Sequence, residues 1–241
     1  MASVTPPVAG APERRAVRAM FDRSAPRYDF LNRLLSAGID QRWRRACVDE
    51  LKLQVPSRVL DICSGTADLA VEFLRRDPDH SLVGVDLSVE MLKRGTRKLA
   101  GRGMGRRGWL AAGDAEHLPF PDRSFDGAMV AFGIRNVADA GKALREIHRV
   151  VRPGSRLVIL EFSMPRGPVG ALYRLYFGRI LPRIGGLVSG NRDAYRYLPD
   201  SVARFKTPRE LGGLMEDAGF LRVRWRALTA GIAYLHRGVR E

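Results

Sequence analysis

The sequence predicts an α/β domain in which a mostly parallel sheet carries helices on both faces. From Arg58 to about position 163, short apolar runs alternate with amphipathic segments at helical spacing. Strands that alternate with helices in this way form parallel sheets, because a helix returns the chain between one strand and the next. Two further β-like runs follow near the end of the chain. A length of 241 residues fits one such domain.

The segment before this alternation differs in character. Residues 1–12 are rich in Pro, Ala and Gly, and we expect them to be disordered. The single domain is expected to span 13–241. Its first part, 13–53, is a predicted helical cap, in which Pro26 separates a first helix from a second that begins near Tyr28.

Residues 58–163 form the predicted cofactor-binding core. Helices are expected from about Ala67 to Arg76, from Val89 to Ala100 and over ALREIHRVV, between strands at RVLDIC, SLVGVDL, Trp109–Ala111, SFDGAMVAFG and SRLVILEF. In open sheets of this kind, ligands bind beyond the carboxyl ends of the strands. A site is therefore expected in the turns that follow these strands.

Residues 164–206 form a predicted lid or substrate insertion. Apolar side chains recur within it at helical spacing, with arginines between them: Leu172, Leu175, Tyr176 and Ile180. The pattern suits a lid helix that lies at a membrane interface over a lipid substrate. It suits an ordinary amphipathic helix packed on the sheet equally well.

Residues 207–241 form a predicted C-terminal helix and closing strands. Thr207 as N-cap and Glu210 as the third helical residue make a capping box, with Pro208 in the first turn and Gly219 at the end. LRVRWRAL and GIAYLH then pair as a predicted antiparallel hairpin. An antiparallel strand that closes a parallel sheet is typical of the class I methyltransferase fold, a Rossmann-like sheet of seven strands, rather than of a plain dinucleotide-binding domain.

The composition constrains the partners. The formal net charge is +15, and a basic surface binds nucleic acid or anionic lipid head groups. No appended RNA-binding module is recognisable, so we expect no nucleic acid and leave open a peripheral contact with a membrane. No apolar run approaches the roughly 20 residues that span a bilayer, and the N-terminus lacks the apolar centre of a secretory signal. A cytoplasmic protein is expected, with the inner face of the membrane as the alternative.

The sequence predicts no metal site. Its two cysteines, Cys47 and Cys63, form no CxxC pair, and its four histidines form no HExxH motif.

The segment DICSGTAD, at the end of the first strand, indicates a bound ligand. Gly65 allows a turn that brings backbone N–H groups close to a ligand, and the following helix presents its positive end. NAD would require the glycine-rich turn GxGxxG, but here Cys63 and Ala67 flank Gly65, which is the one glycine left. A cofactor with a carboxylate and no pyrophosphate is less demanding, which favours S-adenosylmethionine. A plain strand-to-helix turn is the alternative for this octapeptide alone.

Two aspartates at the ends of the next two strands support that cofactor. Asp86 ends the second strand, where an acidic residue accepts hydrogen bonds from both ribose hydroxyls. Asp114 follows the third strand, where its side chain accepts from the adenine amino group while the Ala115 N–H meets the ring. Either aspartate alone is more often a cap or a turn residue. Three such features at three successive strand ends predict a methyltransferase.

With these motifs in place, the sequence resembles the ubiquinone/menaquinone biosynthesis C-methyltransferase family. The resemblance covers nearly everything from Arg18 to Gly238, in the segments MFDRSAPRYDFLNRLLSAGIDQRWRR, VLDICSGTADLA, GVDLSVEML, GDAEHLPFPDRSFD, AFGIRNV, RVVRPGSRLVILEFSMP, SGNRDAYRYLPDSV and LTAGIAYLHRG. The cofactor motifs are shared with many methyltransferases. AFGIRNV, YDFLNRLLSAG and AYRYLPDSV are much more specific to this family.

The resemblance also implies a set of cofactor-binding residues. Many family members carry a hydroxyl residue where this chain has Ala131, which offers only its backbone. Cys63 and Ala67 replace residues that are often smaller or glycine in relatives. We expect these departures to tune affinity rather than abolish binding. The implied set is Gly65, Thr66, Asp68, Asp86, Leu87, Asp114, Ala115 and Ala131.

The reaction that the resemblance implies is C-methylation of a polyprenyl quinol ring, with demethylmenaquinol favoured. Loss of a phenolic proton makes the ortho carbon a better nucleophile toward the sulfonium methyl. Arg135 and Asn136 are expected in the loop that faces the methyl group, where a protonated Arg135 stabilises the phenolate or orients a water. Tyr28 and Asp29 are further candidates for assisting proton loss. A surface salt bridge is the alternative for Arg135, and core packing for Tyr28.

Other functions stay open from the sequence alone. The acceptor could instead be a small phenol, a sterol or RNA. The chain could also be a non-catalytic scaffold that binds S-adenosylmethionine in a quinone-synthesis assembly. No histidine is expected to act as the base, and a homodimer is neither indicated nor excluded.

Overall fold

A seven-stranded sheet forms the centre of the computed structural model, which describes residues 14–29, 33, 36, 38–165, 167–168, 170, 173 and 192–241. The strands are β1 (Arg58–Ile62), β2 (Ser81–Asp86), β3 (Gly108–Ala112), β4 (Phe125–Ala131), β5 (Val151–Phe162), β6 (Leu221–Leu228) and β7 (Ala233–Val239). Their order across the sheet is β3-β2-β1-β4-β5-β7-β6.

The pairing pattern of the strands matches the predicted fold class. β1 pairs in parallel with β2 and β4, β2 with β3, and β4 with β5. β7 pairs antiparallel with both β5 and β6. The chain runs outward from β1 to β3 and then returns to place β4 on the other side of β1. Ligands of open α/β sheets bind at such a reversal, so this topology sets the position of the site.

Helices cover both faces of the sheet. They are α1 (Arg14–Ser24), α2 (Ile39–Leu51), α3 (Asp68–Leu74), α4 (Val89–Ala100), α5 (Ala140–Val150), α6 (Arg192–Arg204) and α7 (Pro208–Asp217). Buried side chains of α2, α3 and the end of α4 pack in one apolar cluster, and those of α5 and α7 pack in a second. Each fully buried Leu, Ile or Phe contributes about 1.5–3 kcal/mol, so the two clusters hold the strand ends in fixed positions.

The helix boundaries follow the local chemistry of the sequence. Thr207 and Glu210 form the predicted capping box of α7, in which the Thr207 hydroxyl accepts from the Glu210 N–H and the Glu210 side chain accepts from the Thr207 N–H. Gly219 follows that helix with φ +96°. α1 ends at Ser24, and a 3₁₀ turn that contains Pro26 follows it. The predicted break at Pro26 is therefore confirmed.

Most predicted boundaries lie within three residues of the observed ones, and the start of the fifth strand differs most. The fifth strand begins at Val151 rather than Ser155, because Val151 already pairs with Phe125 before a register shift in the ladder. The expected disorder of 1–12 and the helical pattern of Leu172 to Ile180 lie outside the described residues. In the part of the chain that is described, no helix is both long enough and apolar enough to cross a bilayer.

Candidate active site

A cleft of about 750 Å³, a volume that includes solvent at its mouth, opens at the carboxyl ends of the parallel strands. The turns after β1 and β2, the segment after β3 and the loop after β4 form its walls, and α1 with Tyr28 closes one side. The predicted site residues on these walls are Tyr28, Gly65, Asp86, Leu87, Asp114, Ala115, Ala131 and Asn136.

The turn after β1 has an unusual backbone. Cys63, Gly65 and Ala67 have φ values of +56°, +53° and +65°, a left-handed conformation that costs non-glycine residues about 1–2 kcal/mol. Cys63 and Ala67 lie two residues before and two residues after Gly65, the one glycine of this turn. Gly133, after β4, packs so closely on this turn that a Cβ there would overlap the Cβ of Cys63.

Asp86 joins the turns after β1 and β2. Its Oδ2 accepts a hydrogen bond from the Gly65 N–H at 2.9 Å, and its Oδ1 accepts from the Ser88 N–H at 2.8 Å. Burial raises the pKa of Asp86, and these backbone donors oppose the rise. A carboxylate has about four acceptor sites, so Asp86 retains capacity to accept hydrogen bonds from hydroxyl groups of a ligand.

Asp114 shapes the segment after β3. Its Oδ1 accepts from the Glu116 N–H at 2.9 Å, and Glu116 Oε1 in turn accepts from the Asp139 N–H at 3.0 Å. Ala115, between them, is buried. Asp114 and Ala115 therefore lie on the cleft wall in a segment that is fixed by backbone hydrogen bonds.

The polar groups of the cleft fit the chemistry of S-adenosylmethionine. Asp86 provides an acceptor for ribose hydroxyls, Asp114 an acceptor for an amino group, and Gly65 a turn with no side chain in the way. A carbon built as Cβ on Gly65 would meet nothing within 4 Å. The turn is therefore open on the side where a ligand would approach. Among the described residues, no three His, Cys, Asp or Glu side chains are grouped so that they could hold a metal ion.

Three predicted site residues lie off the cleft wall and belong to one polar cluster centred on Lys98. Thr66 Oγ1 donates to Asp29 Oδ1 at 2.5 Å. Lys98 Nζ lies 2.6 Å from Asp29 Oδ2 and 2.5 Å from Asp68 Oδ1. Thr66 and Asp68, which the resemblance assigns to the cofactor, and Asp29, a candidate for proton transfer, are thus occupied by this polar cluster.

Arg135 is buried in an ion pair rather than exposed on the cleft wall. Its Nη1 lies 2.6 Å from Glu161 Oε1 and donates to the Phe132 carbonyl at 2.5 Å, while its Nε donates to Ser201 Oγ at 3.3 Å. Burial alone would lower the pKa of Arg135, but Glu161, together with Tyr28 and Tyr197, outweighs burial and raises the pKa. The guanidinium therefore stays protonated, although it pairs inside the protein rather than at the surface.

Asn136 and Tyr28 lie on the cleft wall. Asn136 Oδ1 accepts from the Tyr197 hydroxyl at 3.0 Å, and its Nδ2 donates to the Phe132 carbonyl at 3.4 Å. Burial raises the pKa of Tyr197. Tyr28 packs edge-on against Phe21, with ring centroids 6.1 Å apart. Asn136 thus connects α6 to the loop after β4 and holds its amide beside the cleft.

Sequence reasoning missed an aromatic cluster next to the cleft. Phe132, on the cleft wall, stacks on Phe162 at 4.3 Å, and Trp43 packs against both rings at 6.1 Å. The backbone of Phe132 is left-handed, with φ +59°, a conformation that costs roughly 1–3 kcal/mol and often marks functional sites. Sequence reasoning also missed Glu161. The feature that could have indicated it is a lone carboxylate at the end of an apolar strand, as at Asp86.

One protein-family model matches nearly the whole chain. The model of the ubiE/COQ5 methyltransferase family covers residues 9–240. The chain belongs to this family. Its relatives include a demethylmenaquinone methyltransferase from Thermus thermophilus, 51% identical over 222 residues, which are 92% of this chain and 100% of that protein. A ubiquinone/menaquinone biosynthesis C-methyltransferase UbiE from Syntrophotalea carbinolica is 51% identical over 225 residues, 93% of this chain and 94% of that protein.

Solved structures support the fold of this ubiE/COQ5 family member. A SAM-dependent methyltransferase from Thermotoga maritima superposes with a TM-score of 0.66 at 22% identity, covering 93% of this chain and 100% of that one. At that identity the likeness concerns the fold alone. Together with the sheet order, it confirms the class I methyltransferase fold.

Proposed function

We propose that this protein transfers a methyl group from S-adenosylmethionine to a ring carbon of a polyprenyl quinol in menaquinone or ubiquinone biosynthesis, with demethylmenaquinol as the favoured acceptor. Relatives named for these activities are about half identical to it over almost their whole length. The observation that carries the proposal is that Asp86, Asp114 and Asn136, which follow three different strands, line one cleft.

S-adenosylmethionine, when bound, supplies an electrophilic methyl group. We assign its adenosine to Asp86, Asp114 and Ala115, and its remaining polar groups to the turn at Gly65, which no side chain blocks. Asp86 is fixed by two backbone donors, so it holds its orientation without a ligand. A hydrogen-bond acceptor that is already oriented loses little further conformational entropy when a ligand binds.

For the phenolic oxygen of the acceptor we assign Asn136 and Tyr28, because both line the cleft. Arg135 reaches a phenolate only by leaving its pair with Glu161. We therefore assign it to holding the loop after β4, since Arg135 and Asn136 both donate to the Phe132 carbonyl. A fixed loop helps to align the two reactants. Alignment of two reactants lowers the activation barrier by roughly 7–11 kcal/mol in well-aligned reactions.

We also propose that the protein works from the cytoplasm and meets its lipid substrate at the inner face of the membrane. The net charge of +15 supports attraction to anionic lipids. β6, at one edge of the sheet, exposes three arginines, and basic residues near a membrane surface add about 1 kcal/mol each to the attraction toward anionic lipids. The three are Arg222, Arg224 and Arg226.

Vesicle cosedimentation tests this surface. We expect binding to vesicles of phosphatidylcholine with phosphatidylglycerol, weak binding to phosphatidylcholine alone, and reduced binding of an Arg224→Ala, Arg226→Ala double variant. An Arg102→Ala, Arg106→Ala double variant, also exposed, is the matched control for charge. Equal binding of both double variants would mean that the protein contacts the membrane through a surface other than β6.

The activity itself is tested with methyl-labelled S-adenosylmethionine and either reduced demethylmenaquinol or a reduced methoxy-polyprenyl-benzoquinol. Label on a ring carbon in the extracted lipid is the expected result, and the labelled quinol identifies the acceptor. Cofactor binding without label in either lipid would instead support another acceptor or a non-catalytic scaffold.

A further inference from the structure

We propose that Lys98 is a positioning residue that fastens the N-terminal cap, described over 14–29, onto the turn that binds the cofactor. The inference rests on the proposed function only for the identity of the cofactor. The cap closes one side of the cleft, and Lys98 holds the cap and the turn together. Ligand binding in the cleft and closure of the cap are therefore coupled.

The geometry of Lys98 is that of a bridge. It lies on α4, its side chain is 11% exposed, and its Nζ contacts Asp29 Oδ2 at 2.6 Å and Asp68 Oδ1 at 2.5 Å. Asp29 belongs to the cap, whereas Asp68 begins α3 directly after the turn. Thr66 of that turn donates to the other oxygen of Asp29 at 2.5 Å. One ammonium group therefore joins three segments of the chain.

Charge makes this bridge more than a packing contact. Without the ammonium, the carboxylates of Asp29 and Asp68 would lose the cation that both of them contact. Burial alone would raise the pKa of Asp68, but the charges of Arg44 and Lys98 outweigh burial and lower the pKa. Loss of Lys98 therefore removes the charge that contacts both carboxylates, while Arg44 continues to act on Asp68.

A second contact fastens the cap to the turn after β2. Ser88 Oγ donates to Asp22 Oδ1 at 2.6 Å, and the Ser88 N–H donates to Asp86 Oδ1 at 2.8 Å. The cap thus contacts the turns after both β1 and β2, which carry the proposed cofactor residues. Tyr28, next to Asp29, lines the cleft.

From these contacts we infer that cofactor binding and closure of the cap favour each other. Val17, Arg18, Phe21 and Tyr28 of the cap line the same cleft as Asp86 and Asp114. A ligand in the cleft stabilises the closed cap, and by reciprocity a cap held closed raises the affinity for the ligand.

The test compares Lys98→Met with Lys93→Met. Lys98→Met keeps the length and removes the charge. Lys93 lies on the same helix, with a 56% exposed side chain that pairs with Glu90 at 2.7 Å, and is the matched control. Calorimetry with S-adenosylhomocysteine should give Lys98→Met an affinity reduced about tenfold. Lys93→Met should match the wild type, and Lys98→Arg should recover most of the affinity.

A second readout separates positioning from general stability. Trypsin cleaves after Arg15, Arg18 and Arg23 in α1. S-adenosylhomocysteine should slow this cleavage in the wild type and in Lys93→Met, and should have little effect in Lys98→Met. In turnover with labelled cofactor and quinol, the KM for the cofactor should rise more than kcat falls.

The outcomes distinguish this inference from the proposed function. A Lys98→Met variant with wild-type affinity and wild-type protection would overturn the inference. If that variant fails to fold, Asp29→Asn, which keeps an acceptor for Thr66, should show the same loss of protection; full protection there would overturn it as well. A wild type that binds and is protected by the cofactor but labels no quinol contradicts only the proposed function.

Discussion

The Arg135 guanidinium and the Glu161 carboxylate form a 2.6 Å ion pair whose side chains are 5% and 2% exposed. The pair connects the loop after β4 to the end of β5, and Glu161 also accepts from the backbone N–H groups of Arg135 and Phe162. Both charged groups are desolvated, so each depends on its partner to compensate the lost hydration. The pair therefore fixes the loop that holds Asn136 beside the cleft.

Glu161→Gln should destabilise the fold by about 3–5 kcal/mol, because it leaves the buried Arg135 charge without compensation. Urea denaturation followed by circular dichroism measures the change in the free energy of unfolding. Glu90→Gln, which removes an exposed partner of Lys93, is the control and should cost at most about 1 kcal/mol. Similar losses for the two variants would contradict the assignment of a buried pair.

The fold was predictable to the level of individual elements because its signals are local. The alternation from Arg58 onward, the capping box at Thr207 and the break at Pro26 each depend on a few neighbouring residues. The start of β5 was wrong by four positions. VRPG resembles a turn, and only its pairing with β4 makes it part of the strand. The division of the chain into cap, core, insertion and closing segments stays a prediction.

Asp86→Ala should lower the affinity for S-adenosylhomocysteine about tenfold to a hundredfold, since a charged hydrogen-bond acceptor in the cleft contributes roughly 1.5–3 kcal/mol. The substitution also leaves the Gly65 and Ser88 N–H groups without this carboxylate. Isothermal titration calorimetry measures the affinity, and a thermal melt checks the fold. Glu216→Ala, at an exposed position of α7, should bind as the wild type does. Undiminished binding by a folded Asp86→Ala protein would refute the role.

Ala131→Ser should raise the affinity for the cofactor severalfold, because one added hydrogen bond contributes about 0.5–1.5 kcal/mol. Ala131 ends β4 and lies on the cleft wall, at the position where the family resemblance implies a hydroxyl residue. Ala131→Val adds volume without a hydroxyl and is the matched variant. Calorimetry should show tighter binding for serine only. A gain with valine would indicate packing rather than hydrogen bonding.

The sequence predicted several strand-end residues that line the cleft, but not the contacts of Arg135 and Lys98, and the roles of the site residues stay predictions. Gly65, Asp86 and Asp114 follow strand ends directly, so the order of the strands along the chain places them together. The pairing of Arg135 with Glu161 joins positions 26 residues apart, and no pattern in the sequence specifies such a partner. The same holds for Lys98, whose contacts depend on how the cap folds back over α4.

Asp61 should make the protein less stable as the pH rises through the neutral range. It lies in β1, is 1% exposed, and its Oδ2 accepts no hydrogen bond from any described residue. Burial raises its pKa to about 8, with Arg44 opposing and Asp86 adding to the rise. The folded state therefore holds a proton that the unfolded state releases above about pH 4. The stability from this group is present below that pH and is lost as the pH rises toward 8.

Asp61→Asn removes the titrating proton and keeps the shape of the side chain. Urea denaturation at pH 5, 6, 7 and 8 should show the wild type losing up to about 1.4 kcal/mol per pH unit relative to this variant. Glu216→Gln, at an exposed position, should follow the wild type across the series. A constant difference between wild type and Asp61→Asn at all four values would mean that Asp61 is already ionised in the folded protein. Its charge would then be balanced by Arg44, the cation that lowers its pKa.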